Sequence, residues 1–167
     1  MLSKAIEIAV KAHVGQVDKG GMPYILHPLR VMMNYCADND GNAQICAILH
    51  DVIEDTEITL DDLRSKGFSK EVIAALDCLT KRDGERYDDF IGRILTNELA
   101  CRVKSGDLAD NMDLSRIPNP TDKDRARIKK YSEAADRITE ALNDSDAIPD
   151  GSFFEIDGIP NGTNIPK

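Results

Sequence analysis

Residues 42–54 read NAQICAILHDVIE. Up to Leu49 the run is apolar almost without interruption, as in a helix that occupies the middle of a protein, and polar chemistry enters only at its C-terminal end. His50, Asp51, Glu54 and Asp55 follow one another there. The expectation is a central helix that delivers a His-Asp pair to its own end.

Upstream, apolar residues recur at helical spacing through Leu2, Ile6, Ile8, Ala9 and Ala12, until GQVDKGGMPY (residues 15–24) breaks the pattern with glycines and a proline. A first helix therefore ends near His13. In residues 25–37, ILHPLRVMMNYCA, Pro28 sits near the start, where a missing amide donor is harmless, so His27 is expected at a helix entrance and at a rim. Downstream, Thr59 with Asp62 forms a capping-box pattern, and Ser69 precedes KEVIAALDCLT in the same manner. Residues 87–114 carry apolar positions at three- and four-residue steps, and residues 121–142 form a long charged helix after a Pro-Asn-Pro break. No run alternates with a period of two over strand length. The fold class expected is all-α, a bundle of about seven or eight helices.

Domain organisation reads as one domain over residues 1–143, followed by an irregular tail over 144–167, where Pro, Gly, Asp and Asn dominate. Phe153, Phe154, Ile156 and Ile159 are its sizeable apolar residues, and Asp157-Gly158 could turn a small hairpin there. The net charge of −9, from 21 Lys and Arg against 30 Asp and Glu, argues against nucleic acid or anionic membrane as a partner. A polyanionic substrate would then need a local cation, such as a bound metal. The four cysteines show no paired close spacing and read as buried free thiols of a reducing, cytoplasmic setting. No apolar run approaches membrane-spanning length.

The chemistry concentrates in His27, in His50-Asp51 with Glu54-Asp55, and in Asp107 with Asn111. On a helix, residues four apart share a face, so His50 aligns with Glu54, Asp51 with Asp55 and Asp107 with Asn111. Singly, each position is unexceptional: helix-end histidines usually make hydrogen bonds, and acidic residues at helix ends are usually solvated. Together, two imidazoles and two carboxylates make a mixed nitrogen and oxygen set, suited to a divalent ion with positions left for water and a phosphoryl oxygen. A closed structural zinc site would prefer thiolates.

Three stretches, GGMPYILHPLRV, AILHDVIEDTEITLDDL and VKSGDLADNMDL, resemble successive motifs of the Rel/SpoT hydrolase domain and the small alarmone hydrolases. The resemblance spans roughly residues 5–140, with the motifs in family order. It implies an HD-domain helical bundle, with His27, His50, Asp51 and Asp107 as metal ligands and Mn2+ as the metal. It further implies Glu54 and Asp55 as the acidic pair beside the attacking water, Lys19 and Asn111 as substrate contacts, and Tyr24 as a packing residue. His13 matches no ligand and reads as structural. The implied activity is removal of pyrophosphate from the ribose 3′ position of guanosine 3′,5′-bis(diphosphate), with a small nucleotide as substrate. A chain of this length leaves no room for a synthetase domain. Oligomeric state is open, and a homo-oligomer is compatible with the sequence.

Asp18 and Asp113 depart from the family, whose members often carry arginine at the corresponding places. Both put negative charge where a guanine nucleotide would approach, and Arg116 is a candidate to compensate. Ser105 and Gly106 replace more apolar residues, which reads as a tolerated helix change. The alternatives are an HD phosphohydrolase acting on another nucleotide or a nucleotide cofactor, and a non-catalytic nucleotide-binding regulator.

Overall fold

The computed structural model describes residues 1–37, 39–117 and 119–146, with the backbone alone at Arg116, Ser145 and Asp146. The possible hairpin at Asp157-Gly158 and the rest of the tail after Asp146 lie outside the described residues, as does the side chain of Arg116. Among those described, the chain forms α1 (Leu2–Ala12), α2 (Leu26–Met33), α3 (Gly41–Leu49), α4 (Val52–Asp55), α5 (Leu60–Ser65), α6 (Lys70–Leu79), α7 (Tyr87–Ile94), α8 (Glu98–Met112) and α9 (Asp122–Asp146), with a 3-10 turn at Leu114–Arg116. Their only β feature is an isolated bridge between Val17 and Pro23, so the fold is all-α.

Helix α3 is the axle of the bundle. Every residue from Ala43 to Leu49 is buried, with α1, α2, α6 and α8 packed around it. Two small residues on α1, Ala5 and Ala9, are fully buried and let that helix lie close. The entrance of α3 is fixed by Asp40, whose carboxylate accepts from the Ala43 amide at 3.0 Å and pairs with Arg102 of α8 at 2.7 Å. This satisfies an otherwise orphaned helix-start donor. Fully buried Ile48, Leu49, Leu76, Ile91 and Val103 fill the layers around the axle, and α9 is pinned to α8 by buried Ala134 and Ile138.

The central helix is not continuous. It ends at Leu49, and Asp51 adopts φ −96°, ψ −9°, a loosened conformation from which the short α4 restarts. The 87–114 segment likewise breaks, because Asn97 caps α8 by accepting from the Ala100 amide at 2.9 Å. These two breaks raise the helix count above the seven or eight expected. The capping box at Thr59 and the Ser69 cap form as read. Gly106 is more than a tolerated change: a Cβ there would come within 2.9 Å of the Tyr35 hydroxyl and 3.1 Å of Asn34 Nδ2. Its absence lets α8 approach the end of α2. The thiols need correcting too, since Cys46 and Cys101 are buried while Cys36 is exposed.

Candidate metal centre

Three segments meet at one point. His27 comes from the first turn of α2, His50 and Asp51 from the break after α3, and Asp107 from the third turn of α8. His27 was expected at a rim, yet it is 5 % exposed, because α8 covers the entrance of α2. His27 Nε2 lies 3.2 Å from His50 Nε2, 3.1 Å from Asp107 Oδ1 and 3.5 Å from Asp51 Oδ2. His50 Nε2 lies 3.1 Å from Asp51 Oδ2 and 3.5 Å from Asp107 Oδ1.

The outer nitrogens of both rings are engaged away from the cluster. His50 Nδ1 faces the Ala47 carbonyl at 2.8 Å, which can only accept, so that nitrogen carries the proton. His27 Nδ1 faces Asp110 Oδ2 at 2.6 Å, and Arg30 grips the same carboxylate through Nε at 2.6 Å and Nη2 at 3.0 Å. With each Nδ1 engaged outward, both Nε2 atoms point inward, toward two carboxylate oxygens. Two imidazole nitrogens and two carboxylate oxygens at this spacing need positive charge between them, as protons or as a metal ion.

Without a metal, protons serve. Burial penalises charge on His50, but Asp51 and Asp107 outweigh it and hold its pKa well above the usual imidazole range. Burial likewise opposes ionisation of Asp107, yet Lys104 and the two imidazoles keep its pKa well below the ordinary carboxylate value. Asp51 falls to about 2, burial being overcome chiefly by His50.

A divalent ion fits the same donors. Ligands about 2.1 Å from a central ion, at tetrahedral or octahedral angles, stand roughly 3.0–3.4 Å apart, which is close to the spacing here. His27, His50 and Asp107 offer ligand atoms within 4.8 Å of one another and are all buried, so this cluster could hold a metal. Asp51 flanks both imidazoles and is held by the Tyr24 hydroxyl, which donates to its Oδ2 at 2.6 Å. Tyr24 thus does more than pack.

A cavity of about 570 Å³ opens beside the cluster, lined by His27, Asp51 and Asp107. Glu54 and Asp55 also line it, and burial, seconded by Asp51, raises both carboxyl pKa values. Glu54 Oε2 accepts from the Lys81 amide at 3.0 Å. Lys19 reaches the cavity from the loop after α1. Asn111 lines it as well, but its Nδ2 donates to Asp107 Oδ1 at 2.5 Å, which makes it a brace for that carboxylate. Asp18 and Asp113 both face the cavity and both serve the backbone. Asp18 accepts from the amides of Gly20 and Met22 at 2.8 and 2.9 Å, and Asp113 from that of Ser115 at 2.9 Å.

Sequence reasoning missed three contributors. Lys104 is 14 % exposed, donates to Asp107 Oδ2 at 2.7 Å and lies 5.2 Å from the Phe90 ring centroid. Its position three residues before Asp107, on the same helix face, was a usable signal. Arg30 and Asp110 similarly sit three residues after His27 and Asp107. His13 is buried, with Nδ1 at 2.7 Å from Gln16 Oε1, in keeping with a structural part.

No family model matches the chain. Among curated proteins it is similar to a guanosine-3′,5′-bis(diphosphate) 3′-pyrophosphohydrolase of Borreliella burgdorferi, at 39 % identity over 79 residues, 47 % of this chain and 12 % of that protein. It is also similar to a protein of the same description from Aquifex aeolicus, at 30 % identity over 120 residues, 66 % of this chain and 17 % of that one. A solved structure described as a metazoan ortholog of SpoT that hydrolyzes ppGpp superposes with a TM-score of 0.68 at 20 % identity, covering 86 % of this chain and 92 % of its own. The domain is Rel/SpoT hydrolase-like. It spans 12 % and 17 % of the lengths of those two curated relatives. In this Rel/SpoT-like domain the all-α architecture is shared with the metazoan structure. No described helix is long and apolar enough to cross a membrane.

Proposed function

We propose that the domain hydrolyses guanosine 3′-pyrophosphates, releasing pyrophosphate from the ribose 3′ position, with Mn2+ held by His27, His50, Asp51 and Asp107. The observation that carries this reading is the convergence of two buried Nε2 atoms with the buried Asp107 and half-buried Asp51 carboxylates beside a cavity of about 570 Å³. When bound, the ion supplies Lewis acidity toward water and toward a phosphoryl oxygen.

The chain's own residues do the rest. Glu54 and Asp55, with pKa values raised by burial, orient the attacking water and take its proton. The water oxygen bonds to the phosphorus attached at the ribose 3′ oxygen, and the bond to that oxygen breaks, leaving the 5′ nucleotide and pyrophosphate. Tyr24 and Lys104 fix Asp51 and Asp107 from outside the ring of donors. Lys19 and Asn111 stand at the cavity wall as substrate contacts.

Cationic residues in the cavity lining, Lys81, Arg127 and Lys130, support a substrate charged at both ends. Among the described residues the buried Tyr87 hydroxyl and Arg127 Nε have no hydrogen-bond partner, and both belong to residues lining the cavity. Such groups call for an acceptor, which a 5′ phosphate provides. Asp18 and Asp113 on the wall favour keeping a second class in view, a nucleotide cofactor bearing a ribose phosphate, acted on through the same ligands. A nucleotide panel with added Mn2+, with pyrophosphate and orthophosphate resolved by chromatography, tests both. Pyrophosphate from guanosine 3′-pyrophosphates is expected; faster release of orthophosphate from another nucleotide would move the assignment to the second class.

A further inference from the structure

Arg93 of α7 is 17 % exposed, and all three of its guanidinium nitrogens are used. Nη1 donates to the carbonyls of Asp77 and Cys78 at 2.6 and 3.1 Å, at the C-terminal end of α6, where cations are favoured. Nε and Nη2 grip Glu85 at 3.0 and 2.8 Å. Glu85 Oε2 also accepts from the Arg82 amide at 2.9 Å, so the loop between α6 and α7 is folded around this pair.

The remaining bond is the informative one. Arg93 Nη2 donates to the Thr80 carbonyl at 2.9 Å, and the amide that follows in the same peptide unit, Lys81 N–H, donates to Glu54 Oε2 at 3.0 Å. A peptide unit is planar, so a donor that fixes its oxygen also fixes the direction of its N–H. A cation on the carbonyl further polarises the unit and strengthens the bond the amide gives.

We propose that Arg93 is a positioning residue for Glu54, acting through the peptide unit between Thr80 and Lys81. Glu54 is on α4, a helix of only four residues, and the loop after α6 braces its carboxylate through the Lys81 amide at 3.0 Å. The importance of this for turnover rests on the reading of Glu54 as the group beside the attacking water.

Two variants separate positioning from mere structure. Lys81→Pro deletes the amide, and Thr80 at φ −84°, ψ 114° already has the extended conformation that a following proline requires. Lys81→Ala is its control, since it removes the same side chain and keeps the amide. Relative to that control, Lys81→Pro should lower kcat by about 10- to 100-fold, the scale of a misplaced catalytic group, with KM and metal content unchanged. Arg93→Lys should do the same relative to wild type. In a Glu54→Ala background neither change should cost anything further. Equal rates for the proline and alanine variants, or losses that add to that of Glu54→Ala, would overturn the proposal.

A second readout needs no turnover. In 15N-labelled protein the Lys81 amide resonance should move upfield in Arg93→Lys, toward its position in Glu54→Ala. An unmoved resonance overturns the proposal even if the substrate proves to be something else, and a moved one sustains it while the activity panel judges the function separately. Should Arg93→Lys fail to fold, Glu85→Gln, which removes the charged anchor of the guanidinium, carries the same expectation.

Discussion

Glu54 lies four residues after His50 and lines the cavity beside the cluster. Glu54→Gln keeps its shape and its ability to accept from Lys81 but removes most of its basicity, so the rate should fall by about two to four orders of magnitude with metal content intact. Steady-state rates and elemental analysis of Glu54→Gln and Asp55→Asn check this. Near-wild-type rates in both would remove the acidic pair from the mechanism. Asp107→Ala should abolish stoichiometric metal, whereas Asp110→Asn, one bond further out on His27 Nδ1, should weaken metal affinity by about 10- to 100-fold, measured by competition with a chelator. At this scale the sequence was informative where spacing is local: His50-Asp51 stand out at the end of an apolar run, and Asp107 pairs with Asn111 four residues on. It gave Tyr24 only a packing part and did not reveal that Arg30 and Asp110 grip one another, because local spacing cannot say which carboxylate a hydroxyl finds 27 residues away or an arginine finds 80 away.

Among the elements, caps were legible and breaks were not. Thr59-x-x-Asp62 and Ser69 announce helix starts because their side chains answer amides three residues on. The interruption at Asp51 carries no glycine or proline; packing of the His-Asp pair against α2 and α8 overrides continuity there. Gly106 shows the same limit, since only the crossing of α8 over Asn34 and Tyr35 reveals its purpose. Gly106→Ala gains helix propensity but drives a methyl into a hydroxyl already bonded to the Arg102 carbonyl at 2.6 Å, so a net destabilisation of about 1–3 kcal/mol is expected from urea unfolding. Ile138→Ala, which empties the fully buried anchor of α9, should cost about 2–5 kcal/mol on the same measurement.

For the molecule as a whole, the centre makes stability a function of pH and of metal. In the metal-free protein the pKa of His50 is raised above 6.5, so its contribution is complete below that value and is lost as pH rises through the raised one. Asp51 and Asp107 are lowered from 3.8, so theirs is complete above that value and is lost as pH falls toward about 2 for Asp51. Metal-free protein should therefore be most stable in mildly acid solution, and metal affinity should climb as pH rises and His50 gives up its proton. Melting temperatures of chelated and Mn2+-loaded protein from weakly acid to weakly alkaline pH check the sign: the gap between them should widen with pH. The His27–Asp110 contact joins residues 83 apart in the chain, and this has a consequence for biosynthesis. A ribosome adding about 5–20 residues per second delivers α2 and α3 several seconds before the helix that completes their buried acceptor ring. In that interval the nascent half-site holds His27, His50 and Asp51 without Asp107, Asp110 or the cover of α8. Ribosome-bound chains halted before residue 98 should accordingly retain no metal and be cut readily by protease, while chains released after α8 has emerged should acquire both metal and resistance together.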